Sequence, residues 1–150
     1  MKKGTIIIVG IILLFTMYGC STYNGLVGRD ETVNEKWSLV QTQYQRRADL
    51  IPNLVNTVKG AANFEKETLT QVVQARASAT SMNLNASDLT PENIQKFQAA
   101  QDQLSGALSR LLVTVEKYPE LKANQNFLEL QAQLEGTENR ITVARNDFNT

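Results

Sequence analysis

Apolar residues recur every seven positions through the first third of this chain, in two interleaved sets. One set is Leu26, Val33, Val40 and Leu54; the other is Trp37, Tyr44, Ile51 and Val58. Alternating steps of three and four place both sets on one face of an α-helix, the stripe of a bundle or coiled-coil helix. A strand needs alternation with period two, and no segment shows it. Asp30 and Arg47 are the two polar residues that interrupt the stripe. Pro52 lies inside it, where it removes a backbone donor and crowds the carbonyl of residue 48. Because the period runs on through Leu54 and Val58, the pattern predicts a kink at Pro52 rather than an end.

Lys59-Gly60 followed by Asn63 reads as a C-terminal glycine and a fresh N-cap. A second helix then runs from Phe64 to about Met82, with Leu69, Val72, Val73 and Ala79 inward. A single bent helix passing through Gly60 fits the same residues. Residues 83–90 have loop composition. Thr90-Pro91-Glu92 opens a third helix in the order cap, proline, acid. Its core face is Ile94, Phe97, Leu104, Leu108, Leu111, Leu112 and Val115. Tyr118-Pro119 breaks it in a tight turn, which makes antiparallel neighbours of the third and fourth helices. The fourth carries Phe127, Leu130, Leu134, Ile141, Ala144 and Phe148, and nothing at Asn149-Thr150 stops it, so the helix is expected to continue. The expected fold is all-α: an antiparallel up-down bundle of three to four long helices.

Ahead of the bundle, the stretch MKKGTIIIVGIILLFTMYGC has the layout of an export signal. Lys2 and Lys3 form a basic lead, Thr5 to Tyr18 carry no charge, and Gly19 precedes Cys20. A bilayer core asks for about 20 apolar residues, and this run is shorter. Cys20, the only cysteine, sits where a bacterial lipoprotein carries its lipid; Gly19 supplies the small residue before it and Met17 approximates the aliphatic position. The alternative is an ordinary thiol at the end of a membrane helix. On either reading residues 1–20 are the signal or anchor and residues 21–150 the bundle. The expected location is a bacterial membrane, with the helical domain on its extracytoplasmic side. One cysteine permits no internal disulfide, so stability rests on packing.

Composition excludes much chemistry. Fifteen Lys+Arg balance fifteen Asp+Glu, so no net field draws nucleic acid. The chain has no histidine, which removes Glu-x-x-His di-iron sites, the usual zinc sites and histidine-based triads. Glu65, Glu67 and Glu135 are what is left for an all-carboxylate metal site. Ser78 and Ser81 have no base at hand, and no Gly-rich phosphate loop follows a strand. Asn85-Ala86-Ser87 matches a glycosylation sequon by chance, given the bacterial look of the signal. Trp37, Tyr44, Phe97 and Phe127 read as core rather than as an aromatic ligand box. No cofactor and no catalytic activity are expected.

Two polar clusters stand out. Arg46, Arg47 and Asp49, beside Pro52-Asn53, form the densest one on the first helix: either a patch for a partner or anion, or a structural feature in which Arg47 leaves the core on its aliphatic stem to meet an acid. The second is Glu135 to Arg140. There Gly136, which costs about 1 kcal/mol against alanine inside a helix, is expected to allow close helix packing. Glu135, Glu138 and Arg140 meeting the Arg46–Asp49 cluster would make a polar network across the bundle.

Several blocks together resemble the LemA family: Tyr23-Asn-Gly-Leu-Val27, Gln45-Arg-Arg-Ala-Asp-Leu-Ile-Pro-Asn-Leu-Val55, Lys59-Gly60, Glu65-Lys-Glu-Thr-Leu69, Tyr118-Pro-Glu-Leu-Lys-Ala-Asn124 and Leu134-Glu-Gly-Thr-Glu-Asn-Arg-Ile141. They follow the family's order and cover nearly everything after the signal. The resemblance implies an antiparallel helical bundle held to a bacterial membrane by its N-terminus, with no established catalytic activity. Family members usually keep an uncleaved membrane helix and continue into a longer fourth helix and tail, whereas Cys20 points here to lipidation. The leading functional expectation is a tethered interaction or scaffold module docking another envelope protein. The alternative is a carrier holding an apolar molecule between its helices, and an envelope hydrolase has almost no residue support.

Overall fold

The computed structural model describes residues 3–61, 64–85 and 88–149. Lys2, Asn63, Ala86 and Ser87, which bear on the signal, cap and sequon readings, lie outside them. The described residues form helices and contain no strand: α1 (Lys3–Lys59), α2 (Lys66–Ser81), α3 (Pro91–Val115), α4 (Pro119–Lys122) and α5 (Gln125–Asn149). They divide into two compact units, Met1–Lys36 and Trp37–Thr150.

In the first unit α1 is unbroken through Gly19-Cys20. Its apolar side chains are exposed on every side of the helix, from Ile8, Ile12 and Leu13 to Phe15, Met17 and Tyr18. A helix that is apolar all round belongs in an apolar medium. Beyond Cys20 the chain stays free of charge, though with polar residues at Ser21, Thr22 and Asn24. No charged residue separates Lys3 from Arg29, a helical length of about 37 Å against a bilayer core of about 30 Å. By length and composition this helix can cross a membrane. Leu26 and Val33, placed in the stripe by their spacing, are exposed.

The second unit is the bundle. Arg76 of α2 reaches Ala48 of α1, while Trp37 and Gln41 reach Leu84 just past the end of α2, so the two helices run in opposite directions. Gln101 meets Ala79 and Arg110 meets Gln71, which makes α3 antiparallel to α2. Arg47 meets Glu138 and Trp37 packs on Phe148, which makes α5 antiparallel to α1. The up-down order expected from the loops is the order observed.

Local chemistry explains the joints. Pro52 stays inside α1, as its unchanged periodicity predicted. Gly60 ends the helix, donating its N–H to the Thr57 carbonyl at 3.3 Å, so α2 is a separate helix. That helix starts at Lys66, two residues later than its pattern suggested, and its buried face is Leu69, Val72, Ala75 and Ala79. Val73 is exposed rather than inward, because the 3.6-residue turn gives its place to Val72 and Ala75. Thr90 caps α3 by accepting the Asn93 N–H at 3.2 Å, with Pro91 at the first turn, a contact worth about 1 kcal/mol. The turn after Tyr118 is less tight than expected. Pro119 starts the one-turn α4, and Asn124 then caps α5 by accepting the Phe127 N–H at 3.2 Å.

Two apolar clusters fill the bundle. The larger centres on Ile51, Leu54, Val58, Val72, Leu104, Leu111 and Phe127. The smaller holds Trp37, Val40, Tyr44, Leu84, Phe97 and Ile141. The rings of Trp37 and Phe97 meet edge to face at 5.4 Å, and those of Tyr44 and Phe97 at 5.1 Å. All four aromatic residues read as core are buried.

Candidate functional site

A polar layer lies between these clusters. On α1 it falls at Arg47, between Tyr44 and Ile51; on α3 at Gln101, between Phe97 and Leu104; on α5 at Glu138, between Leu134 and Ile141. Arg47 is 1% exposed, and its guanidinium is held from several directions. Its Nη1 donates to Glu138 Oε1 at 2.5 Å and to Ser105 Oγ at 2.8 Å. Its Nη2 donates to Gln101 Oε1 at 2.6 Å and to the Gln101 carbonyl at 3.3 Å. Gln101 in turn donates to the Ala79 carbonyl at 3.3 Å, which ties α2 into the same layer. The Arg47 guanidinium carbon also lies 5.2 Å from the centre of the Tyr44 ring, within cation–π range.

This corrects the expected path of Arg47. Its charge does not leave the core; Glu138, 45% exposed, brings the acid inward to it. Desolvating a guanidinium is costly unless its donors are matched, and four acceptor contacts match its two terminal nitrogens here. Arg47 Nε and Gln43 Oε1 are buried without a hydrogen-bond partner among the described residues. Burial raises the Tyr44 phenol above its usual pKa, with Arg145 and then Arg47 pulling part of the way back.

The anticipated network across the bundle therefore exists at Arg47 and Glu138, and the other named residues stay outside it. Arg46, Asp49 and Arg140 line a surface groove of about 550 Å³ between α1 and α5, with Leu50, Gly136 and Thr137. Asp49 accepts from Gln45, whereas neither Arg46 nor Arg140 bonds to a described residue. Glu135 faces solvent and accepts from Gln131. Gly136 does not serve close packing: a Cβ built there meets nothing within 4 Å. Nothing in the sequence marks Gln101 or Ser105 for this layer, although Gln101 sits at a core position of the α3 stripe. No group of three metal-ligating side chains gathers among the described residues, and Glu65 instead pairs with Lys117 at 3.4 Å. Cys20 is an exposed free thiol on α1.

These features define a class: a helical bundle with a buried, arginine-centred polar layer, in a chain that also carries an apolar N-terminal helix. Comparison with known proteins gives the family. The LemA family model matches residues 36–150, and the chain belongs to that family. Protein LemA of Metamycoplasma hominis is a relative, 25% identical over 126 residues, which are 84% of this chain. The match covers 54% of that relative, so the chain spans about half its length.

Proposed function

We propose that this LemA-family protein is a membrane-anchored, non-catalytic bundle that docks another envelope protein on the extracytoplasmic side. The observation that carries the docking reading is the α1–α5 groove, where Arg46 and Arg140 both line the cleft without partners among the described residues. Small side chains between them, Ala132, Gly136 and Thr137, leave room for an incoming chain. The anchor reading rests on the exposed apolar surface of α1 between Ile8 and Tyr18. Its charge-free length suits a span, and a lipid on Cys20 is the other form of anchor. Intact mass separates them: Met1 retained for a span, or residues 1–19 lost with a diacylated Cys20 for a lipoprotein.

A carrier of apolar molecules would need an enclosed cavity, whereas the two clefts of about 360 Å³ and 550 Å³ among the described residues are partly open to solvent. A photo-crosslinker replacing Gln133, which lines the groove, tests docking in intact membranes. A discrete adduct that disappears in the Arg46→Glu/Arg140→Glu protein supports it. No adduct, or one indifferent to charge reversal, removes the docking reading.

A further inference from the structure

A different cleft, of about 360 Å³, opens between α1 and α2. Tyr44 of α1 and Phe97 of α3 place aromatic rings in its wall, and Ala48 and Ala79 leave the space that larger side chains would fill. Gln41 and Asn83 line it as well, and Arg46 is the only charged residue that does. A volume of this size suits a small ligand, with an apolar wall and a few fixed polar groups.

The amide orientations follow from hydrogen bonding. The Leu84 carbonyl accepts from Gln41 at 2.6 Å, and only the NH₂ end of that side chain can donate. The same NH₂ donates to Asn83 Oδ1 at 3.1 Å. Leu84 is itself held in place, because its carbonyl also accepts the Trp37 indole N–H at 2.7 Å. What remains among the described residues is Gln41 Oε1 as an acceptor and the Asn83 NH₂ as a donor, on adjacent side chains of one cleft. A secondary amide presents the complement of that pair: one N–H and one carbonyl.

We propose that this cleft binds a neutral secondary amide bearing a small apolar group, the chemistry of an acetamido substituent. The ligand N–H donates to Gln41 Oε1, its carbonyl accepts from Asn83 Nδ2, and its methyl group rests against the Tyr44 and Phe97 rings. N-acetylated sugars and acylated peptides both supply this group. Arg46 lines both this cleft and the docking groove, whereas Gln41 and Asn83, whose amides hold the ligand, do not line the groove.

The test is an NMR titration of the full-length chain in detergent micelles, reading the side-chain amide signals of Gln41 and Asn83. The probes are N,N′-diacetylchitobiose and N-acetyl-alanyl-alanine amide, with cellobiose as a hydroxyl-only control. Saturable shifts from either amide probe and none from cellobiose support the proposal, and the responding probe identifies the source. Asn83→Asp keeps the acceptor that Gln41 needs but removes the donor, and it weakens binding about tenfold, the effect of losing about 1.4 kcal/mol. Thr42→Trp narrows the cleft from its exposed rim and has the same result. An unchanged helical circular dichroism spectrum and a cooperative melt confirm that each variant is folded. Absence of saturation with both amide probes, an equal response to cellobiose, or full binding by both folded variants overturns the proposal.

Discussion

Arg76 donates from Nε to the carbonyl of Ala48 at 2.8 Å, and that carbonyl is the one Pro52 leaves without its helical donor. A proline inside a helix ordinarily costs about 3 kcal/mol. Here the orphaned acceptor is satisfied by the neighbouring helix, and the break in the α1 ladder becomes a tie between α1 and α2. Arg76→Ala is expected to destabilise the protein by about 1–2 kcal/mol. In a Pro52→Ala background residue 52 recovers its N–H, and the loss should shrink toward zero. Urea unfolding of the four proteins closes the cycle. An equal loss in both backgrounds would show that Arg76 stabilises through something else.

The Arg47–Glu138 pair should respond asymmetrically. Glu138→Ala leaves a buried guanidinium without its acid and is expected to cost about 2 kcal/mol, a value reduced from that of a fully buried pair because Glu138 is half in solvent. Arg47→Met removes the buried charge itself and leaves Glu138 free to hydrate, so it should cost less. Thermal melts rank the two. The reverse order would mean that the layer depends on Arg47 contacts other than the ion pair.

Gly106 and Gly136 sit inside α3 and α5, and a Cβ at either meets nothing within 4 Å. Alanine at each position should raise stability by about 0.5–1 kcal/mol through backbone entropy alone. Denaturant midpoints of the two single variants decide it. A loss at Gly136 would restore the close-packing role that the sequence suggested for it.

Tyr44 gives the bundle an alkaline limit. Burial raises its pKa, so the folded state favours the neutral phenol. Its contribution is complete below the unfolded value of about 10 and is lost as the pH rises from there through the raised folded value. Urea midpoints at about pH 8 and pH 11 should fall further for the wild type than for Tyr44→Phe, with lysine titration common to both. Parallel falls would show that Tyr44 ionises without cost to the fold.

Much of the bundle was legible because burial imposes a period. Trp37, Tyr44, Ile51 and Val58 repeat at seven and are all buried, and Thr90-Pro91-Glu92 starts a helix where its capping chemistry says. Val72 and Val73 fit the apolar stripe equally well, and only packing chooses Val72 for the core. Asn124 was hidden as a cap because the proline five residues before it gives the stronger break signal. Of the polar layer, Arg47 and Glu138 were visible as charges in or near a stripe. Gln101 and Ser105 were not, since a neutral polar residue on a mixed face carries no signal until its partner across the bundle is known. The tie between Arg76 and Ala48 was half visible: Pro52 marks the orphaned carbonyl, but sequence spacing does not say which side chain reaches it.

Alkaline carbonate extraction of native membranes tests the proposed anchoring of the bundle by the N-terminal part of α1. The wild-type chain should stay with the membrane pellet. Leu13→Arg with Phe15→Arg adds two charges to the apolar run, each opposing insertion by about 2.5–3.5 kcal/mol, and should move the protein to the soluble fraction. Wild-type protein released by carbonate, or a doubly charged variant that stays in the pellet, would overturn the proposed anchoring.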